Sequence, residues 1–212
     1  MTPQTPSLPR VSILARVLPA IPCLIVMLGA AANAILLMGV MNAMRNAESA
    51  GIGAVATGLA QAQVAIVFAF YLAIFVTAIS IIVMAVRSFI ATKTVSPSGW
   101  FILIIALLGG VPVSLAWKAH TLLLGSIMNR VGIVTVASTI QLCSILVLIT
   151  AGLFSVVLLV ASLAPLPSAL RAKRSWAPII VLVLMEVALI VLAVVFQMNM
   201  AWLQGVAARE SF

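Results

Sequence analysis

Residues Arg174–Trp202 read RSWAPIIVLVLMEVALIVLAVVFQMNMAW, and this stretch decides the fold class. Trp176 and Trp202 enclose an almost uninterrupted apolar run, and near its middle sits Glu186, one of only three acidic residues in the chain. The 26 residue steps between the two tryptophans would reach roughly 39 Å as a helix, close to the thickness of a bilayer with its headgroups. Indole rings favour the membrane–water interface, so the segment predicts a spanning helix anchored by tryptophan at both ends.

Working outward, the same pattern recurs. Of 212 residues, 65% are hydrophobic and 7% charged, whereas a soluble domain is about half apolar and a quarter charged. Apolar runs of roughly the 20 residues needed to cross hydrocarbon cover about residues 17–43, 64–86, 99–117, 142–163 and 177–200. Trp100 and Trp117 bracket the third run as Trp176 and Trp202 bracket the fifth. The expectation is an all-α, polytopic transmembrane bundle of five spanning helices forming a single integral membrane domain, with lipid as its first partner.

The formal charge of +8 does not form a nucleic-acid footprint, because the basic residues lie at span ends rather than on one face among exposed aromatics. With the N-terminus inside, seven basic residues (Arg10, Arg16, Arg87, Lys93, Arg171, Lys173, Arg174) face four outside (Arg45, Lys118, Arg130, Arg209). This asymmetry predicts N-in, C-out, and the membrane is expected to be a bacterial cytoplasmic one. Val17–Leu28 followed by GAAANA imitates a signal peptide, but the apolar run continues to Met44, so an uncleaved first helix is expected. Cys23 and Cys143 fall in or near spans and read as packing residues. His120, the lone histidine, has no neighbouring Cys or acid to complete a ligand set, and no phosphate-binding loop or nucleophile–base set is visible. No metal, cofactor or enzymatic activity is expected.

A carboxylate at bilayer depth costs at least a few kcal/mol, which makes Glu186 a candidate functional residue by default. A glutamate side chain is too short to snorkel, so it faces a bundle interior or pore, or stays protonated. Ser175, Glu186 and Gln197 recur at intervals of eleven, about three helical turns, and so share one stripe. That stripe reads either as an ion path or as hydrogen bonds that fix a helix's rotation. A different stripe marks the second span: Ala50, Ala54, Gly58 and Ala62 form one row of small residues, and Ala65, Ala69, Ala73 and Thr77 another. Small residues let helix backbones approach closely, a main source of association energy in lipid. In the fourth span Gln141, Ser144, Ala151, Ser155 and Ser162 are spaced for one face, although such hydroxyls can bond their own helix.

The stretch GVMNAMRNAESAGIGAVATGLAQAQVAIVFAFYLAIF, Gly39 to Phe75, resembles the last two membrane helices of the MotA/TolQ/ExbB proton-channel family. The matching residues are Gly39, Asn42 and Ala43, then Gly58, Leu59, Ala60 and Ala62. The resemblance implies a homo-oligomeric ring around single-span partner helices, in which the partner supplies the proton-carrying aspartate and this chain close-packed walls. It also makes Gln61 a candidate for the ion path, at the position of the family's helix carboxylate. The family's channel threonines correspond to Leu36 and Ile66, so three polar positions of its path are changed, and its large cytoplasmic insertion is missing. ITAGLF, Ile149–Phe154, is also similar to a family helix. A shift of 80 positions equates Leu28-Gly29 with Leu108-Gly109 and Gln61 with Gln141, but chance explains so few identities in so biased a composition better than duplication does.

Two functions are therefore expected to compete. One is a stator-type subunit of an ion-driven membrane motor or proton channel; the other is a non-conducting assembly subunit of a different complex. A small-solute transporter ranks third, because Pro112 is the only hint of a broken helix.

Overall fold

A computed structural model describes residues 13–46, 52–90, 96–128, 133–164, 171–172 and 176–209. Five helices account for almost all of them: α1 (Ile13–Asn46), α2 (Ile52–Ile90), α3 (Gly99–Met128), α4 (Ile133–Leu163) and α5 (Ala177–Arg209). All five are long and apolar enough to cross a membrane, and the protein is an all-α integral membrane bundle. Side chains such as Phe68, Phe75, Leu107, Leu153 and Leu184 are each at least 58% exposed. Apolar groups on the outside are what a hydrocarbon solvent selects.

The helices run past the apolar windows of the sequence. α2 begins at Ile52 rather than near 64, α3 continues to Met128, and α5 to Arg209. With 30 to 39 residues each, they extend roughly 45–58 Å, against about 30 Å of hydrocarbon. A hydropathy window registers only the lipid crossing. The alanine-rich start of α2, GAVATGLAQAQ, continues the helix because alanine is the best helix former and because Val55, Ala56, Leu59 and Ala60 bury against neighbouring helices.

α1 lies against α2, α3 and α4, while α5 lies mainly against α2 and more lightly against α3. A two-residue antiparallel ladder joins β1 (Ser96–Pro97) to β2 (Arg171–Ala172). Arg16, in the first turns of α1, donates to the carbonyl of Ala164 just past α4. These contacts gather the start of α1, the α2–α3 connection and the α4–α5 connection at one end, as alternating passes through a bilayer require. We call it the N-terminal end.

α1 approaches α2 closely at Gly29. A Cβ added at Gly29 would collide with the Cβ of Ala69, so glycine at one position and alanine at the other set the spacing of the two backbones. Gly109, equated with Gly29 by the 80-residue shift, instead meets Cys23 of α1. Buried apolar side chains divide into two clusters along the bundle axis. The larger runs from Ala15 to Ala34 on α1 and from Leu182 to Phe196 on α5. The smaller takes over at Leu37 on α1, Ala60 on α2, Ala119 on α3 and Leu203 on α5.

Candidate functional site

Polar side chains occupy the boundary between the two clusters. Asn33 of α1, Gln63 of α2 and His120 of α3 are each no more than 1% exposed. Asn33 Nδ2 donates to the backbone oxygen of Ala62 over 2.7 Å. That carbonyl already belongs to the α2 ladder, and it is reachable from α1 because Ala62 carries only a methyl group. A carbonyl can only accept, so the bond fixes the Asn33 amide and turns Oδ1 toward His120 Nε2, 3.1 Å away. Nε2 therefore carries the hydrogen. His120 Nδ1 is left as an acceptor for Gln63 Nε2 at 3.0 Å. The result is a directed chain in which Gln63 donates to His120, His120 to Asn33, and Asn33 to the α2 backbone, with a neutral imidazole at its centre.

The edge of the His120 ring meets Phe196 of α5 at 5.9 Å between centroids, and Phe196 in turn contacts Phe70 and Trp117. In this layer Gln63 Oε1 is buried without a partner; outside it, one turn beyond Phe196 on α5, so is Asn199 Nδ2. The layer tethers α1, α2 and α3 by side-chain hydrogen bonds where apolar contacts alone would allow the helices to rotate.

Glu186 lies elsewhere. It is partly buried on α5, and its Oε2 is buried with no hydrogen-bond partner. Its neighbour Met185 places its sulfur 3.9 Å from Cys23 Sγ. Both line an almost wholly apolar cavity of about 170 Å³ at the light α3–α5 seam, beside Gly109, Gly110 and Ala188. Gln197, three turns on, accepts a hydrogen bond from the Tyr71 hydroxyl on the exposed side of the α2–α5 contact. Ser175, the third member of that stripe, is outside the described residues. Gln61 is exposed, whereas Gln63 two positions on points inward. The structure thus leaves Glu186, Gln197 and Gln61 separate, and none of them joins the buried layer.

Of the small residues on α2, Ala62, Ala69 and Ala73 are buried. Gly58 is partly buried against Val40 of α1, Ala54 is exposed and Ala50 lies outside the described residues. Trp100 and Trp176 are exposed at the starts of α3 and α5, and Trp202 is exposed two turns before the end of α5. Trp117 differs, since it is partly buried with its ring edge-on to Phe196 at 5.2 Å. Among the described residues no three of His, Cys, Asp and Glu come together as a metal site.

Asn33 and Gln63 do not stand out in sequence, and His120 attracts no role there because its partners are amides on other helices. A usable signal does exist: these are amide and imidazole side chains inside apolar spans, which must find partners across a helix interface. No family model, curated protein or solved structure matches the chain.

Proposed function

We propose that the chain is an integral membrane subunit that forms close-packed helical walls against partner transmembrane helices, as its resemblance to the MotA/TolQ/ExbB family implies, and is not itself a pore. The observation that carries this reading is the closed interior. Among the described residues, apolar clusters fill the bundle on both sides of the Asn33–Gln63–His120 layer, and the 170 Å³ cavity at the α3–α5 seam is lined almost entirely by apolar atoms. An ion crossing such an interior would lose its hydration without replacement ligands. Ion movement in an assembly of this kind takes place at an interface between subunits, where the partly exposed Glu186 side chain would supply a carboxyl group. The membrane is the bacterial cytoplasmic one, with the N-terminus inside and several copies around a single-span partner.

Proteoliposomes test the first part. Under an imposed potential, vesicles containing the chain alone should show the proton leak of empty vesicles; flux above that level would mean that the interior conducts. The mass of the gently solubilised complex would then reveal whether copies of this chain outnumber a partner.

The non-conducting assembly subunit is favoured by a separate observation. The family's carboxylate position is the exposed, neutral Gln61, and Ile66, at a channel threonine position, is fully buried. Glu186→Gln preserves shape while removing the titratable proton, and Glu186→Leu removes the hydrogen-bonding group. Loss of ion-coupled activity in Glu186→Gln with assembly intact supports the ion-driven reading. Damage confined to Glu186→Leu supports the structural one.

A further inference from the structure

The N-terminal end of the bundle holds a charge that no carboxylate among the described residues balances. Arg16 is 7% exposed. One guanidinium nitrogen donates to the Ala164 carbonyl, while Nε is buried with no partner. A buried cation without a counter-charge costs several kcal/mol even after relaxation.

The chain has only three acidic side chains. Glu48 and Glu210 follow the far ends of α1 and α5 in sequence. Glu186 is nine residues into α5, roughly 14 Å along the axis from its start, and adjoins Met185, which meets Cys23 two turns beyond Arg16. Among the described residues, no carboxylate is therefore placed to neutralise Arg16.

Further features at the same end have the same sign. Arg87, in the last turn of α2, has a buried Nη1 with no partner. The positive dipole ends of α1, α3 and α5 point there, none with an acid in its first turn, against the negative ends of α2 and α4, the latter beside the Ala164 carbonyl that Arg16 already uses. Elsewhere in the described bundle the buried polar side chains are neutral.

We propose that Arg16 anchors a binding site for an anionic phosphate group at the N-terminal end of the bundle, at the level where the helices leave the hydrocarbon. The guanidinium fork presents N–H donors suited to a phosphate oxygen pair. At this depth the abundant source is a phospholipid headgroup, whose acyl chains would lie along the apolar outer face; free phosphate has the same chemistry. Basic sites between helices at one membrane surface take anionic headgroups by this logic.

The experiment uses the full chain, stripped of lipid in a neutral detergent, with native mass spectrometry and thermal unfolding as readouts. Probes are phosphatidylglycerol, phosphatidylcholine with the same acyl chains, and inorganic phosphate. Phosphatidylglycerol should remain bound at one per chain and raise Tm by several degrees, with little effect from phosphatidylcholine. Arg16→Gln should weaken this binding by about tenfold or more, while Arg209→Gln, at the opposite end, should retain it. An equal response to inorganic phosphate would assign the site to the free anion rather than to lipid. If Arg16→Gln does not fold, the wild-type contrast between the two lipids decides. Equal retention of both lipids with no response to phosphate, or full binding by a folded Arg16→Gln, overturns the proposal.

Discussion

His120 and Asn33 are 87 positions apart in the chain, yet their side chains meet at 3.1 Å in the interior. The contact connects α3 to α1, and through Gln63 the same ring connects to α2. His120→Leu would leave Asn33 Oδ1 and Gln63 Nε2 buried without partners. At about 1–3 kcal/mol for each of the two orphaned groups, the expected loss is about 2–6 kcal/mol, measured by reversible unfolding in mixed micelles. His120→Gln keeps a donor and an acceptor and should cost less. A loss within about 0.5 kcal/mol for His120→Leu, the range of an ordinary surface change, would show that the layer does not hold the helices together.

The Gly29–Ala69 approach predicts a contrast between glycines. Gly29→Leu must push α1 away from α2, since even a Cβ there collides with Ala69, and should lower Tm sharply or prevent folding. Gly110→Ala places its methyl where no atom lies within 4 Å and should be neutral. Gly58→Leu falls between them, because a Cβ there meets the Val40 methyls at 3.0 Å. Equal Tm values for all three would show that α1–α2 spacing is not set by these residues.

Two exposed polar groups of α2 should respond differently. Tyr71→Phe removes the bond to Gln197, and hydrogen bonds between membrane helices average about 0.6 kcal/mol and reach about 1.7. Gln61 is exposed, so Gln61→Leu should leave stability unchanged or raise it in lipid. Unfolding in bicelles measures both, and a larger loss for Gln61→Leu than for Tyr71→Phe would reverse the assignment of which amide matters.

Membrane crossing by α5 gives a direct topological measurement. Ala177 and Ala208 are exposed near its two ends, so Ala177→Cys and Ala208→Cys should react with an impermeant thiol reagent from opposite sides of sealed vesicles. The native Cys23 and Cys143 are buried and should contribute little background. Labelling of both engineered positions from one side would exclude a spanning α5.

Much of the architecture is legible one segment at a time. Trp176 to Trp202 announces a crossing because an apolar helix of that length has no other stable environment, and four further runs repeat the message. Small residues on α2 announce close approach for a similarly local reason: side-chain size is visible in sequence. Helix ends are less legible. α2 starts a dozen residues before its apolar window because alanine propensity and burial against other helices, rather than hydropathy, sustain its first turns.

The sequence by itself determined the solvent of this protein and the number of its crossings. Both follow from the free energy of transferring side chains and unpaired backbone into lipid, which is a sum over neighbouring residues. Which polar side chain meets which was decided only by the tertiary structure. Gln61 and Gln63 are the same residue type two positions apart, about 200° around a helix. Rotation of α2 against α1 turned one outward and set the other beside His120. That rotation depends on pairings such as Gly29 with Ala69 and Asn33 with the Ala62 carbonyl. They exist only once distant segments are side by side, so they cannot be read from either segment alone.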